Sequence, residues 1–153
     1  MDYKVAILIG SETDKSVMES GKKYYDHFGI DSEIIVLSAH RNPSSVEDFA
    51  TNARDNGYSI LIGAAGMAAH LAGALKANST LPVIGVPLAG GILDGLDSLF
   101  ATVQMPKGVP VATMAVGKAG AINAAILCAE IFSLNDDNIK SKLDDFKTNG
   151  AKL

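Results

Sequence analysis

Three side chains that can do chemistry lie in the stretch Ser38-Ala39-His40-Arg41. The side chain of His40 is an imidazole, the group that most often acts as a general acid and base in proteins. The guanidinium of Arg41 is planar and permanently charged, which suits a phosphate or a carboxylate. The apolar run 34–37 precedes the stretch and Pro43 follows it, so a strand ends and a helix begins here. In an open α/β sheet, ligands bind at such junctions.

Each candidate also has a purely structural interpretation. A histidine at the end of a strand is often only structural, and Arg41 can form a surface ion pair with Glu47 or Asp48. His70 follows a run of small residues and can be a buried, hydrogen-bonded core histidine. His27 lies late in a predicted helix, where a cation favours the helix dipole, and we assign no chemistry to it.

The loop Gly10-Ser11-Glu12-Thr13-Asp14 joins the apolar run 5–9 to a helical pattern. Free backbone N–H groups and the dipole at the start of a helix attract anions, so this loop is a candidate phosphate site. Alternatively, Thr13 or Asp14 only caps the helix.

Small residues make up the stretch Gly63-Ala64-Ala65-Gly66, shortly before His70. The stretch matches neither the G-x-G-x-x-G dinucleotide pattern nor the phosphate-loop lysine motif, so nicotinamide and nucleoside triphosphate binding have no motif support. Small side chains here let a flat ligand approach the backbone closely. Tight packing against a helix explains the composition equally well.

Apolar runs alternate with helical patterns along the chain. Strands are predicted at residues 5–9, 34–37, 60–62, 82–87 and 109–113. Two helices are predicted to end at Gly29 and Gly57, and four more are predicted at 67–77, 94–103, 118–132 and 135–147. The alternation predicts an α/β fold, a flavodoxin-like, doubly wound parallel sheet in three αβα layers. We expect one domain over residues 1–153, with a core at 4–133 and a C-terminal helix at 135–148. Because parallel strands share one carboxyl edge, we expect the candidate site residues to meet there.

The composition argues against several classes of partner. The net charge is −4 and no basic stripe occurs, which argues against nucleic acid and anionic membranes. The run 5–9 is too short for a signal-peptide core or a membrane span, so we expect a cytoplasmic protein. No Cys or His spacing resembles a metal site of the zinc type. The one cysteine, Cys128, lies in an apolar helical pattern typical of a buried structural thiol.

The chain is unusually apolar for its length. Hydrophobic residues make up 48% before 15 glycines are counted, and charged residues make up 20%. Typical domains have about 45–50% with glycine included and about 25% charged. We therefore expect a homo-oligomer with large apolar contacts, although a deep apolar ligand site can account for part of the excess.

From the residues alone, we predict that a small phosphorylated ligand binds at the sheet edge beside His40. Five motifs in the same order then resemble one family. They are Gly10-Ser11-x-x-Asp14, Ser38-Ala39-His40-Arg41, Gly63 to His70-Leu71, Asp97-Ser98-Leu99 with Gln104-Met105-Pro106, and Gly117-Lys118-Ala119-Gly120-Ala121-x-Asn123-Ala124-Ala125. Together they resemble the PurE family of purine biosynthesis, the N5-carboxyaminoimidazole ribonucleotide mutases, from Val5 to about Phe132.

The resemblance implies a flavodoxin-like domain that assembles as a homo-octamer. It implies that the carboxylate of a nucleotide substrate moves from the exocyclic nitrogen of its imidazole to ring carbon C4, without ATP, metal or organic cofactor. His40 is then the acid and base. The substrate-binding residues that it implies are Ser11, Asp14, Ser38, Arg41, Gly63, Gly66 and His70. Among them, Arg41 and the Ser11 loop face the phosphate, Asp14 faces the ribose, and His70 and the glycine loop line the imidazole and carboxylate end.

The chain departs from the family pattern at a few positions. Met67 stands where the family usually has glycine and Ala72 where it usually has proline, and residues 88–93 also differ. These departures bear on the shape of the imidazole pocket rather than on the phosphate anchor.

Two other hypotheses remain open. A related class carboxylates aminoimidazole ribonucleotide directly with carbon dioxide, and it typically has lysine in place of Arg41, so the arginine favours the mutase. The third hypothesis is a non-enzymatic, flavodoxin-like ligand-binding module. The intact Ser-Ala-His-Arg stretch argues against it.

Overall fold

A parallel β-sheet forms the centre of the computed structural model, which describes residues 3–153. The strands are β1 at Lys4–Ile9, β2 at Asp31–Val36, β3 at Ile60–Gly66, β4 at Val83–Leu88 and β5 at Ala112–Thr113. They lie in the order β2-β1-β3-β4-β5, and each neighbouring pair is parallel. This order confirms the predicted α/β class and the flavodoxin-like arrangement.

Helices cover both faces of the sheet. They are α1 at Lys15–Met18, α2 at Lys22–Phe28, α3 at Pro43–Asn52, α4 at Leu71–Asn78, α5 at Leu96–Val103, α6 at Lys118–Phe132 and α7 at Asp137–Thr148, with 3-10 turns at Glu12–Asp14, Glu19–Gly21 and Ile92–Gly95. Helices α2, α6 and α7 pack on one face, α3 and α4 pack on the other, and α5 contacts β4 and β5. The result is the three-layer architecture that the sequence predicts.

Strand β1 is apolar because it lies in the middle of the sheet, between β2 and β3, with a helical layer on each side. Val5, Ile7 and Ile9 pack against the layer of α2 and α6, whereas Ala6 and Leu8 pack against α3 and α4. Each of these side chains is at most 1% exposed. Burying one large aliphatic side chain contributes about 1.5–3 kcal/mol, so this strand anchors both layers.

The predicted bounds of β2 are wrong at its start. The strand begins at Asp31 rather than at residue 34, because residues 31–33 are polar and lie on the exposed edge of the sheet. Strand β5, predicted at 109–113, shortens to Ala112–Thr113. It lies at the opposite edge, as the proline at position 110 predicts.

The predicted end of the third strand at residue 62 and the predicted helix at 67–77 also need correction. Strand β3 continues to Gly66, because residues 63–66 pair with residues 85–88 of β4. Helix α4 begins only at Leu71. Residues 67–70 therefore form the whole turn between strand and helix.

Helix α6 has the predicted bounds, 118–132. Its small residues, such as Ala121, Ala124 and Ala125, are buried against the sheet, and Cys128 is fully buried among them. The prediction of a buried thiol is confirmed, and the same burial raises the pKa of Cys128 above its ordinary value. No helix among residues 3–153 combines the length and apolarity needed to cross a membrane.

Helix α7 confirms the prediction of a C-terminal amphipathic helix. Its first turn is capped by the Asp136 carboxylate, which accepts hydrogen bonds from the N–H groups of Asn138 and Ile139. Ile139, Leu143 and Phe146 are buried on its inner face. The helix thus closes the layer formed by α2 and α6.

Candidate active site

A cavity of about 440 Å³ opens at the carboxyl edge of the sheet, where β1 lies between β2 and β3. In doubly wound folds, the crevice at which the chain changes direction across the sheet is the usual ligand site. The loops after β1, β2, β3 and β4 line it with Gly10, Ser11, Thr13, Asp14, Ser38, Ala39, His40, Arg41, Ala65, Gly66, Met67, Ala68, His70, Leu71, Ala89 and Gly90. The structure thus brings together every candidate site residue from the sequence except Gly63.

The loop after β1 presents Asp14 to the cavity. Ser11, rather than Thr13 or Asp14, is the residue that caps this turn, since its Oγ accepts hydrogen bonds from the Thr13 backbone N–H at 3.4 Å and from the Thr13 hydroxyl at 3.0 Å. The carboxylate of Asp14 makes no capping hydrogen bond. It is therefore available to a ligand as a hydrogen-bond acceptor.

Burial shapes the charge of Asp14. Desolvation raises the pKa of this carboxyl above its ordinary value of 3.8, and a hydrogen bond with the Ser11 backbone opposes the rise in part. Within the described range 3–153, no cation forms an ion pair with this carboxylate, and a partly buried carboxylate without such a partner is unfavourable by itself. Hydroxyl groups of a ligand would supply the hydrogen bonds that this carboxylate lacks.

Hydrogen bonds from backbone N–H groups hold the loop after β2 in place. The Ser38 Oγ accepts a hydrogen bond from the Arg41 N–H at 3.3 Å, and the Ser38 carbonyl accepts one from the Asn42 N–H at 2.8 Å. At the end of β2, the Leu37 N–H donates to the Ile9 carbonyl at 2.8 Å. These bonds fix the point at which the His40 and Arg41 side chains leave the sheet.

Arg41 carries a charge that the described part of the chain does not neutralise. Its guanidinium forms no ion pair with any acidic residue in the range 3–153, so the pairs with Glu47 or Asp48 considered from the sequence do not form. The residue is exposed and lines the cavity. A planar cation in this position is suited to a phosphate or carboxylate oxygen.

His40 and His70 form a hydrogen-bonded pair in the cavity. His40 Nε2 lies 2.7 Å from His70 Nδ1, and the two rings meet edge to face with centroids 4.8 Å apart. One nitrogen of this contact must carry the proton while the other accepts. Both residues are exposed, so the interpretation of His70 as a buried core histidine is wrong. The pair can hold a proton next to a ligand and fix the direction of one ring through the other.

The small-residue stretch after position 62 divides into two parts with different roles. Gly63 is buried, and a Cβ at this position would lie 2.7 Å from the backbone N and Cα of Ala72 in α4. Gly63 therefore allows β3 and α4 to pack closely, and it does not line the cavity. Gly66 does line it, near the carbonyl of Leu88. Ala72 lies in the buried layer with Gly63, so this departure from the family pattern does not reach the cavity.

Met67 lines the cavity, at a position where the chain departs from the family pattern. Its backbone is left-handed, with φ of 52°, and its side chain is 65% exposed. A non-glycine residue in this conformation costs roughly 1–2 kcal/mol. The glycine that the family usually has at this position is compatible with such a backbone, whereas methionine by itself gives no signal of it.

Metal ligands do not cluster in this region. Within residues 3–153, no group of three or more His, Cys, Asp and Glu side chains is arranged to hold a metal ion.

Both the sequence and the structure of this chain are similar to those of known proteins. The model of the family described as AIR carboxylase matches residues 4–152. The N5-carboxyaminoimidazole ribonucleotide mutase of Escherichia coli strain K12 is 42% identical over 144 residues, which cover 94% of this chain and 85% of that protein. The protein of the same name from Bacillus subtilis is 46% identical over 149 residues, covering 97% and 92%. The crystal structure of Treponema denticola PurE superposes with a TM-score of 0.86 at 27% identity, covering 97% of this chain and 91% of that one.

The raised pKa of Asp14 predicts how stability depends on pH. Because the folded state binds this proton more tightly than the unfolded chain, the stabilising contribution of the group is complete below pH 3.8 and is lost as pH rises through the folded pKa. Asp14→Asn should therefore match the wild type at low pH and be more stable than the wild type at neutral pH, in the absence of ligand. Urea unfolding at a series of pH values and one protein concentration measures this difference.

Glu12→Gln is the matched control, since Glu12 lies in the same turn but is exposed and does not line the cavity. A stability difference between Asp14→Asn and the wild type that does not change with pH would contradict the role of burial.

Proposed function

The chain belongs to the AIR carboxylase family, and from this membership and the geometry of the cavity we propose that it is an N5-carboxyaminoimidazole ribonucleotide mutase. The reaction moves the carboxylate from the exocyclic nitrogen to C4 of the imidazole and gives 4-carboxy-5-aminoimidazole ribonucleotide, a step of IMP biosynthesis. The observation that carries the proposal is the His40–His70 pair, with a contact of 2.7 Å, in a cavity that also contains Arg41, which has no acidic partner among the described residues 3–153.

The phosphate and ribose of the nucleotide are proposed to bind at the loops after β1 and β2. Arg41 supplies a positive charge for the phosphate, and the Ser11 loop supplies polar groups beside it. The Asp14 carboxylate accepts hydrogen bonds from ribose hydroxyls, which relieves its unfavourable burial. Binding these parts away from the reacting atoms fixes the position of the imidazole.

The imidazole of the substrate is proposed to lie against Gly66 and the two histidines. His40 donates a proton to the exocyclic nitrogen while the bond from that nitrogen to the carboxylate breaks and its electron pair stays on nitrogen. The electron-rich ring then uses C4 to attack the carbon dioxide so formed, and a new C–C bond results. His40 removes the proton from C4, which restores the aromatic ring and the starting protonation state.

His70 is proposed to orient His40 for both proton transfers. The contact between Nδ1 of His70 and Nε2 of His40 holds the second ring at 86° to the first. Since the reaction conserves atoms, charge and oxidation state, we propose that it uses no ATP, metal or organic cofactor. The substrate is a charged nucleotide that is retained inside the cell, so we place the reaction in the cytoplasm.

We propose that the chain forms a homo-oligomer, because the outer surface of α5 is apolar and exposed. Leu96, Phe100 and Val103 lie at positions i, i+4 and i+7 of this helix and are exposed, as are Ile92 and Leu93 in the preceding turn. We call this set the α5 apolar face. Exposed apolar stripes of this kind are typical of protein interfaces. The family resemblance favours an octamer, in which copies of this chain cover one another's apolar surfaces.

The function is tested by offering the purified protein each nucleotide separately. We expect N5-carboxyaminoimidazole ribonucleotide to be converted without added bicarbonate, because the carboxylate comes from the substrate itself. Activity only on aminoimidazole ribonucleotide with carbon dioxide would instead identify a direct carboxylase. Binding without turnover of either nucleotide would identify a ligand-binding module.

The same assay tests His40. His40→Asn keeps a polar side chain but removes the imidazole that is proposed to transfer the proton, so we expect turnover to be lost while the nucleotide still binds. Turnover close to that of the wild type would exclude His40 from the proton transfers.

Arg41→Ala tests the phosphate anchor. Loss of a charge-assisted hydrogen bond should weaken nucleotide binding by about 1.5–3 kcal/mol, measured by calorimetry. Arg54→Ala is the matched control, because Arg54 donates to the Thr80 hydroxyl at 3.2 Å and does not line the cavity. Equal affinities for the Arg41 and Arg54 variants would contradict the proposed role.

Phe100→Glu tests the α5 apolar face, on which Phe100 is 61% exposed. A buried, unpaired carboxylate between subunits is strongly unfavourable, so we expect the variant to sediment as a smaller species than the wild type. Leu134→Glu, at an exposed apolar residue outside this face, should keep the wild-type mass. An unchanged mass for Phe100→Glu would exclude this face as an interface.

A further inference from the structure

The side chain of Met67 is exposed on the wall of the candidate active site. It is 65% exposed, and it borders both the cavity of about 440 Å³ and a neighbouring hollow of about 590 Å³. Both spaces are open to solvent. An opening that admits a nucleotide also admits any smaller solute, so small molecules reach this side chain from the cavity even if another subunit covers the outer hollow.

The other sulfur-containing side chains of the described residues 3–153 are shielded. Met18 is 1% exposed and Cys128 is fully buried. Met105 is partly buried, and its Sδ packs against the backbone of α4. Met114 is also partly buried and packs against the core. Within this range, Met67 is therefore the methionine that a reagent in solution meets first.

The turn between β3 and α4 holds the Met67 side chain at one place on the wall. The backbone of the residue is left-handed, with φ of 52°, and its carbonyl accepts a hydrogen bond from the Ala69 N–H at 2.9 Å. Its Cγ lies 3.0 Å from the position that a Cβ on Gly91 would take, so the inner half of the side chain packs on the Gly91 backbone. The outer half, with the sulfur and the methyl group, is the part that solvent reaches.

We propose that Met67 is a site of reversible oxidation by small peroxides, and that its sulfoxide lowers the activity of the cavity. In the reaction with hydrogen peroxide, a lone pair of the sulfur attacks one peroxide oxygen, the O–O bond breaks, and the other oxygen leaves with both protons as water. The sulfur loses two electrons and the peroxide gains them. The apolar thioether becomes a polar sulfoxide that accepts hydrogen bonds.

The sulfoxide alters the part of the wall at which the substrate imidazole is proposed to lie, so its effect on turnover rests on the proposed mutase function. Met67 lies between Gly66 and His70, which both line the cavity. The contact with His40 uses Nδ1 of His70, and an S=O acceptor on the same wall can bind the other ring nitrogen when it carries a proton. Such an acceptor competes for the histidine pair and hydrates an apolar surface. We expect kcat/KM for the nucleotide to fall several-fold.

Peptide mapping tests the site without any substrate. The full-length protein is exposed briefly to hydrogen peroxide and digested, and mass spectrometry follows the gain of oxygen at each methionine. We expect Met67 to be oxidised well before Met18, Met105 and Met114. Methionine sulfoxide reductases A and B, which act on one sulfoxide epimer each, should together remove the oxygen. Oxidation of the three shielded methionines as fast as Met67 would overturn the proposed site.

Two variants separate the chemistry of the sulfur from damage to the rest of the protein, and each is compared with itself before and after peroxide. The kcat/KM of the wild type should fall on treatment and recover after the reductases. Met67→Leu is apolar and has no sulfur, so treatment should leave its kcat/KM unchanged. Met67→Gln carries an amide acceptor in place of the sulfoxide and should have a lower kcat/KM than Met67→Leu before any treatment.

The outcomes for the two proposals are distinguishable. If the untreated wild type does not convert N5-carboxyaminoimidazole ribonucleotide, the mutase proposal fails, and the effect of oxidation is then judged from nucleotide affinity measured by calorimetry before and after peroxide. If the wild type is active but oxidation of Met67 leaves kcat/KM unchanged, or if Met67→Leu loses as much activity as the wild type, the role of Met67 fails and the mutase proposal stands. Equal kcat/KM values for the untreated Gln and Leu variants would exclude polarity as the cause and would also overturn the inference.

Discussion

The parallel pairing of β1 with both β2 and β3 is the constraint on which the site depends. Ile9 pairs with Val36 on one side and with Ala64 on the other, so Gly10, Leu37 and Ala65 follow at the same level of the sheet. The loops that carry the polar residues are far apart in sequence, but they leave neighbouring strands at the same edge of the sheet, within a few ångströms of each other. The pairing is stable because β1 is buried on both faces, and the apolar character of residues 5–9 therefore determines where Ser11, His40 and His70 meet.

Close packing of small residues determines how near the helices lie to the other elements of the site. A Cβ at Gly63 would overlap the backbone of Ala72, and one at Gly21 would lie 2.8 Å from the Ala121 carbonyl, so both helical layers approach their neighbours more closely than larger side chains allow. For α4 the consequence is functional, because the helix begins one residue after His70. Many of the glycines that make the composition unusual thus serve packing, and only a few, such as Gly66, line the cavity.

The sequence predicts those parts of the fold in which local pattern and tertiary environment agree. The run 5–9 and helix α6 have bounds close or equal to those predicted, because each is apolar over its whole length. The hydrophobic pattern does not predict the full length of β2 and β3, because strand pairing extends both strands into polar or glycine-rich sequence. The candidate residues were recognisable from their chemical types, but the His40–His70 contact was not, since it depends on the turn at residues 67–70. Nor does any sequence signal distinguish Gly63 from Gly66, which lie on the same strand with different neighbours.

Several features of the single chain are unfavourable in isolation, and they occur at the surfaces where a ligand or another subunit would bind. Among residues 3–153, Asp14 is partly buried without a cationic partner, Arg41 has no acidic partner, and Met67 has a strained backbone. The α5 apolar face is the corresponding feature on the outside. Ribose hydroxyls at Asp14 would supply hydrogen bonds to a partly desolvated carboxyl, and a phosphate would supply an anionic partner for the exposed Arg41. Part of the free energy that the burial of Asp14 costs the free chain would then be recovered on binding. The proposed nucleotide would thus meet groups whose positions folding has already set, which lowers the cost of binding.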